Sequence, residues 1–250
     1  MLCFSLLLTM SLSIGAEAGQ VTAAIAANFS GTVKDLKPLF ERASGHRLVT
    51  SLASSGTLFA QIHNGAPYDV FLSADEQRPQ QLIRDGLAVA DSAFIYASGQ
   101  LVLWSNKTEL IDPQGNILRN AHWPKKDIRH IALANPKTAP YGRAAMETLR
   151  TMQLVEPTKA YRITGQNIAQ TFQFVASGNA QLGFIAETQL LSLTKSERGS
   201  YWRVPKEMHK PIQQMAVLLN RGRENSAAQD FLKFLQSPQA QSIIRGQGYR

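Results

Sequence analysis

Four short stretches of this 250-residue chain share one build: strand-forming residues, a small or polar residue, then the start of a helical pattern. They are Ala26–Gly31 (AANFSG), Leu52–Thr57 (LASSGT), Asn135–Gly142 (NPKTAPYG) and Thr164–Ile168 (TGQNI). A strand that turns straight into a helix leaves the first N–H groups of the helix without intrahelical partners, and their dipoles favour an anion. None of the four has a lysine or arginine at its centre, and none holds a carboxylate. The pattern describes a cage of neutral donors for a fully ionised oxyanion.

Around these stretches strands and helices alternate. Val21 to Ile25, Leu48 to Leu52, Asp69 to Leu72, Leu101 to Trp104, Ile131 to Ala134, Leu182 to Ile185 and Ile212 to Leu219 read as strands. Val33, Leu36, Leu39, Phe40 and Ala43 recur at helical spacing up to Gly45, with Pro38 inside the pattern as a kink or a shifted start. Leu58, Phe59 and Ile62 mark a helix ending at Asn64-Gly65, and Asp75 is an N-cap for one that Gly86 ends. Further helices run from about Gly142 to Gln153, through Ile168, Phe172 and Val175 to Gly178, and over Ala227 to Leu235 and Gln239 to Arg245. Repeated βα units imply an α/β fold of mostly parallel sheets with helices on both faces.

Ligands in open α/β sheets bind beyond the carboxyl ends of the strands. The candidate stretches fall in pairs, one before residue 60 and one after 135, so two lobes facing across a cleft would bring them together. Crossovers near Ser98 and Met215 give a first lobe of residues 19–98 plus 216–250 and a second of 99–215.

Residues 1–18 read as an export signal: Phe4 to Ile14 is largely apolar and Ala16-Glu17-Ala18 fits a small-x-small cleavage site near Ala18, although no basic residue precedes the apolar run. That run is too short to span a bilayer. Cys3, the only cysteine, lies inside the signal, so the exported chain has no disulfide, cysteine metal site or thiol nucleophile. Loss of Glu17 leaves 26 basic and 17 acidic residues, a formal charge of +9. The charges are scattered, and the densest stretch, Arg119–His130, is broken by Trp123 and Pro124 and reads as a solvated loop rather than a nucleic-acid surface. A positive field around an exported chain favours anionic ligands.

No catalytic constellation stands out. The chain lacks G-x-S-x-G, H-E-x-x-H, G-x-x-x-x-G-K-[ST] and G-x-G-x-x-G. His46, His63, His122, His130 and His209 show no ligand spacing, and Asp69 and Asp75 sit where structural caps sit. Ser54-Ser55 before a helix has two readings, a cap or a ligand hydroxyl, and Asn28 has the same two. Tyr141 is the one aromatic in such a turn, and its alternative role is packing on Pro140. Ile168 has only its backbone N–H to offer.

Ser51–Thr57 (SLASSGT), continuing through Gln61–Asp75 (QIHNGAPYDVFLSAD), resembles the periplasmic molybdate-binding proteins of ABC importers. Ala26-Ala27-Asn28-Phe29, Asn135-Pro136 with Ala139–Gly142, and Leu182–Ala186 match as well, so the likeness spans essentially the whole exported chain. It implies a two-lobed type II periplasmic-binding fold with the ligand cleft between the lobes, closing on molybdate or tungstate. Carried over by position, the donors are Asn28, Ser55, the Tyr141 turn and Ile168, with Ala27 adding at most its backbone. Molybdenum would be held as its oxyanion by these residues, with no protein atom bound to the metal and no separate cofactor. The chain departs from many relatives by having Ala186 where they carry a tyrosine and Tyr141 where they carry a small residue.

The chemistry agrees. Molybdate, tungstate and sulfate carry no proton at neutral pH and need donors only, whereas phosphate keeps a proton and is best read by an acceptor. The expected function is a periplasmic, monomeric solute-binding protein, not an enzyme, that delivers molybdate or tungstate to an inner-membrane ABC permease. The alternatives are the same fold holding another tetrahedral oxyanion such as sulfate, and a ligand-sensing domain or an enzyme on this fold.

Overall fold

The computed structural model describes residues 18–119 and 128–250. The expected export signal other than Ala18, and most of the basic Arg119–His130 stretch, lie outside these. The strands are β1 Gln20–Ala26, β2 Arg47–Ala53, β3 Val70–Leu72, β4 Phe94–Gly99, β5 Leu101–Ser105, β6 Ile131–Ala134, β7 Arg162–Gly165, β8 Leu182–Ala186, β9 Ser200–Arg203 and β10 Ile212–Leu218. The helices are α1 Ser30–Ser44, α2 Ser55–His63, α3 Gln77–Arg84, α4 Asn116–Arg119, α5 Pro140–Thr151, α6 Ile168–Ala176, α7 Glu187–Leu191, α8 Ser226–Gln236 and α9 Pro238–Gly246.

Two five-stranded sheets form, in the orders β2-β1-β3-β10-β4 and β7-β6-β8-β5-β9. Each is mixed. β2-β1-β3 and β7-β6-β8 run parallel, as repeated βα units require, while β10 and β5 pair antiparallel with both of their neighbours. The antiparallel strands are those at the crossings: β4 leaves the first sheet through Gln100 straight into β5, and β10 returns after β9. The return falls between Arg203 and Ile212, so all of β10 lies in the first sheet, Met215 included.

The parallel strands end level. Ile25 stands opposite Leu52 and Leu72, and Ala134 opposite Gly165, so the turns after β1, β2 and β3 share one edge and those after β6 and β7 share another. Each lobe has its own core. Val21, Ile25, Phe29, Leu36, Phe40, Phe231 and Leu235 are packed together in the first, and Leu101, Leu133, Leu149, Phe184 and Trp202 in the second. Burying one such side chain stabilises the fold by about 1.5–3 kcal/mol.

Local chemistry sets the boundaries. α1 ends where Gly45 takes a left-handed φ of 74° and its N–H donates to the Glu41 carbonyl. Pro38 lies within α1 rather than starting it; having no N–H, it leaves the Lys34 carbonyl without its helical donor, at a point where both residues are exposed. Glu76, not Asp75, holds the cap position of α3, yet the Asp75 carboxylate accepts the Arg78 N–H at 3.2 Å and so serves the same orphan donor.

Candidate functional site

A small cavity lies where the two strand edges face each other. It is lined by Ala26, Ala27, Asn28, Ser54, Ser55, Ala74, Ala139, Pro140, Tyr141, Asn167 and Ile168. All four turns singled out in the sequence therefore meet at one point, two from each lobe. No lining residue carries a charge. The room left for the centre of a water-sized sphere is about 10 Å3, roughly one such position, so the space suits a ligand of few atoms.

Three helices and one 3-10 turn begin at this cavity. In α2, Ser54 is the cap: its hydroxyl accepts the Thr57 N–H at 3.3 Å and lies 2.8 Å from the Thr57 hydroxyl. Ser55, only 1% exposed, is left free of that duty. Its hydroxyl oxygen accepts the main-chain N–H of Ala74 at 2.9 Å, which leaves the hydroxyl proton to donate. The two adjacent serines thus divide the two roles, cap first and donor second. Ala74, beyond the end of β3, orients that donor and was not legible in the sequence, because its part is played by a backbone N–H.

In α6, Asn167 is the cap and accepts the Gln170 N–H at 3.0 Å. The Ile168 N–H, in the first turn, has no intrahelical partner, while the Ile168 side chain is buried in the second-lobe core. In α5, Pro140 at the first position has no N–H to lose, so the first available donors are those of Tyr141 and Gly142. The Tyr141 ring is 1% exposed, and burial pushes its phenol well above the ordinary tyrosine range, so it keeps its proton.

Asn28 lines the cavity from the 3-10 turn Ala27–Phe29. Its side chain does not act as the sequence reading expects. Both amide hydrogens are committed, one to Gln214 Oε1 at 2.8 Å and one to the Tyr249 hydroxyl at 3.0 Å. What this turn has left to offer is the main-chain N–H of Ala27 and Asn28. Ala186 is fully buried at the start of α7, with its N–H held by Gln189 Oε1 at 3.0 Å.

Beside the cavity the lobes touch directly. The Gly56 N–H donates to the Thr138 carbonyl at 2.8 Å. Asp75, on the first lobe, pairs with its neighbour Arg78 and with Arg143 of α5 at 2.9 Å, and Arg78 reaches the Lys137 carbonyl at 3.2 Å. The charges form a rim across the cleft and leave the interior neutral. Among the described residues no cluster of His, Cys, Asp and Glu is arranged to hold a metal ion, and no helix is long and apolar enough to cross a membrane.

Residues 21–250 match the family described as bacterial extracellular solute-binding proteins. The chain is 44% identical over 238 residues to the molybdate-binding protein ModA of Azotobacter vinelandii, covering 95% of this chain and 92% of that one. It is 43% identical over 245 residues to ModA of Rhodobacter capsulatus, covering 98% and 94%. The solved structure of the Azotobacter vinelandii periplasmic molybdate-binding protein superposes with a TM-score of 0.86 at 39% identity, covering 92% of this chain and 98% of that one.

Proposed function

We infer that this chain, which belongs to the bacterial extracellular solute-binding proteins, captures molybdate for import by an ABC transporter. The relatives named as molybdate-binding proteins, at 43% and 44% identity over nearly the whole chain, support the ligand. The single structural observation that carries the chemistry is an uncharged cavity at which turns from both lobes meet. Tungstate, of the same shape and charge, belongs to the same reading.

The mechanism follows from the donors. A dianion with four oxygens and no proton accepts from the Ser55 hydroxyl and from N–H groups of Ala27, Asn28, Ser55, Tyr141 and Ile168. Fixed donors to a charge are each worth about 1.5–3 kcal/mol. Because they come from both lobes, the anion favours the closed arrangement over any in which only one lobe reaches it. A site without an acceptor carboxylate has nothing to receive the proton that phosphate retains. The protein then works as a periplasmic monomer that hands its anion to an inner-membrane permease, with no chemistry done on the ligand.

Thermal unfolding with micromolar oxyanions tests the reading. Molybdate and tungstate should raise the melting temperature, since a ligand held only by the folded form adds RT ln(1 + [L]/Kd). Phosphate at equal concentration should leave it unchanged. An equal shift with phosphate overturns the neutral-cage chemistry, and no shift with molybdate overturns the function.

A further inference from the structure

Beneath the cavity lies a hydrogen-bonded chain whose direction is fixed by one atom. The main-chain carbonyl of Asn28 can only accept, and the Tyr249 hydroxyl donates to it at 3.0 Å. Tyr249 has a single proton, so its oxygen can only accept from the Asn28 side chain, which must therefore present Nδ2 at 3.0 Å. The same Nδ2 lies 2.8 Å from Gln214, so Gln214 turns its Oε1 that way, and the Tyr96 hydroxyl donates to the same oxygen at 3.0 Å. The Gln214 amide nitrogen is left facing the Tyr141 hydroxyl at 3.4 Å. An amide nitrogen accepts nothing, so Tyr141 accepts there and its one proton remains for another partner. Gln214 is fully buried, and Tyr96, Tyr141 and Tyr249 nearly so.

We propose that Gln214 is a positioning residue for anion capture: it makes the Tyr141 oxygen an acceptor on the side of β10, so that the phenolic proton is left for the ligand in the cavity. The proposal rests on the oxyanion-binding reading and deepens it. Gln214 lies in β10 and Tyr141 in α5 of the other lobe, so the bond also sets the phenol relative to the crossing strands. Gly99, at the end of β4, makes room for it, because a Cβ there would overlap the Tyr141 hydroxyl. The chain fixes one hydrogen at the cavity: with Gln214 donating to it, the Tyr141 oxygen keeps its own proton to give.

The substitution Gln214→Glu tests the direction, because it keeps the shape and adds a proton that titrates. At acid pH the introduced carboxyl is neutral and donates to Tyr141 as the amide does. As pH rises it ionises, accepts the phenolic proton and withdraws Tyr141 from the ligand. The other titratable groups facing this position are the phenols of Tyr96, Tyr141 and Tyr249, all pushed up by burial, and the carboxylates of Asp75 and Glu187 near Tyr96 and Tyr141. Burial raises a carboxyl into the neutral range, so a span of about pH 5 to 9 covers the change.

Calorimetry with molybdate would compare Gln214→Glu with the double variant Gln214→Glu/Tyr141→Phe across that span. Charge repulsion is common to both, so their ratio isolates the phenolic proton. At acid pH the single variant should bind about tenfold tighter than the double, and at alkaline pH within about twofold. In the unmodified background Tyr141→Phe should cost the same factor throughout. A constant ratio between single and double variants overturns the positioning role. Failure of the unmodified protein to bind molybdate overturns the function instead. Should Gln214→Glu not fold, judged by thermal melting, Gln214→Met replaces it. Tyr141→Phe should then cost at most half the wild-type factor, and an equal cost overturns the proposal.

Discussion

The main-chain N–H of Ala74 donates to the Ser55 hydroxyl oxygen at 2.9 Å, while the neighbouring Ser54 caps α2. This division predicts different results for two adjacent serines. Ser55→Ala should lower molybdate affinity tenfold or more, roughly the loss of one donor to a charge at 1.5–3 kcal/mol. It should also cost some stability, because the buried Ala74 N–H loses its partner. Ser54→Ala should lower the unfolding free energy by about 0.5–2 kcal/mol as a lost cap does, and leave affinity within a few-fold. Titration calorimetry paired with chemical unfolding separates the two; equal affinities for both variants would show that Ser55 is not a ligand donor.

A second prediction concerns closure. An added Cβ at Gly56 would lie 2.8 Å from the Thr138 Cα and 2.9 Å from its carbonyl oxygen, both backbone atoms of the opposite lobe. Arg78 Nη2 of the same lobe also lies 2.9 Å from this Cβ, but it is the end of a flexible side chain and can move aside, so the unyielding contacts arise only where the lobes meet. Gly56→Ala should therefore leave the ligand-free protein as stable as before, or slightly more so through helix propensity. It should weaken molybdate binding by an order of magnitude or more, since closure must now displace the Thr138 loop. Small-angle scattering would read the geometry: a radius of gyration that falls with ligand in the wild type and less in the variant. An unchanged response means that the contact yields easily.

The rim charges predict a smaller effect. Asp75 holds Arg78 and, across the cleft, Arg143. Asp75→Asn leaves the two guanidinium groups facing each other without their shared partner. The Arg143 side chain is 34% exposed, so solvent screens much of the interaction. About 1 kcal/mol is expected, a fivefold loss of affinity, shrinking as salt is added. A loss that does not change with ionic strength would point to packing rather than charge.

The parallel strands β1, β2, β3, β6 and β8 and all four donor turns were readable in the chain, because a strand-to-helix turn leaves a local signature in residue type and spacing. β4, β7 and β9 were not read as separate strands. β7 (RITG) and β9 (SYWR) are four residues each and mixed in polarity, too short for a period to show. β5 and β10 were legible as strands, but their antiparallel direction was not, because it is set by where the chain crosses between lobes, a long-range property. The same limit applied within the site. Asn28 reads as a ligand amide from its place after β1, but its partners Gln214 and Tyr249 lie 186 and 221 residues away, and they claim both of its hydrogens. Ser55 could be told from Ser54 only once the backbone of Ala74 was in place.

The Asn28 arrangement yields a prediction opposite in kind to that for Ser55. Since its amide ties the turn after β1 to β10 and to the Tyr249 hydroxyl within the first lobe, Asn28→Ala should act first on stability. Loss of the amide leaves the buried Gln214 oxygen and Tyr249 hydroxyl each short of a bond, at about 1–3 kcal/mol each. The melting temperature without ligand should fall clearly. Asn28→Asp keeps the shape but removes the donors and brings a carboxylate near the anion, so it should damage binding more than Asn28→Ala does. Equal affinities in the two variants would mean that position 28 lies outside the field of the ligand.

Tyr141 carries the last prediction, because the proposed role of Gln214 makes its phenol a side-chain donor supplied by the second lobe. Burial holds the phenol above its ordinary range, so it stays protonated through the neutral region and can only donate or accept, not bear charge. Gln214 already occupies its acceptor side. Tyr141→Phe keeps the ring, its burial and the backbone N–H, and removes the oxygen alone. Affinity for molybdate should fall by about 1.5–3 kcal/mol, the worth of one hydrogen bond to a charge. Unliganded stability should change by less than that, since the bond from Gln214 is long at 3.4 Å. Rescue by Ala186→Tyr is not expected: Ala186 is fully buried in the second-lobe core, and a ring there overpacks it. Calorimetry and thermal melting on the two variants decide the matter. If Tyr141→Phe binds molybdate as tightly as the wild type, the turn offers only its backbone N–H and the phenol is a packing residue at the hinge.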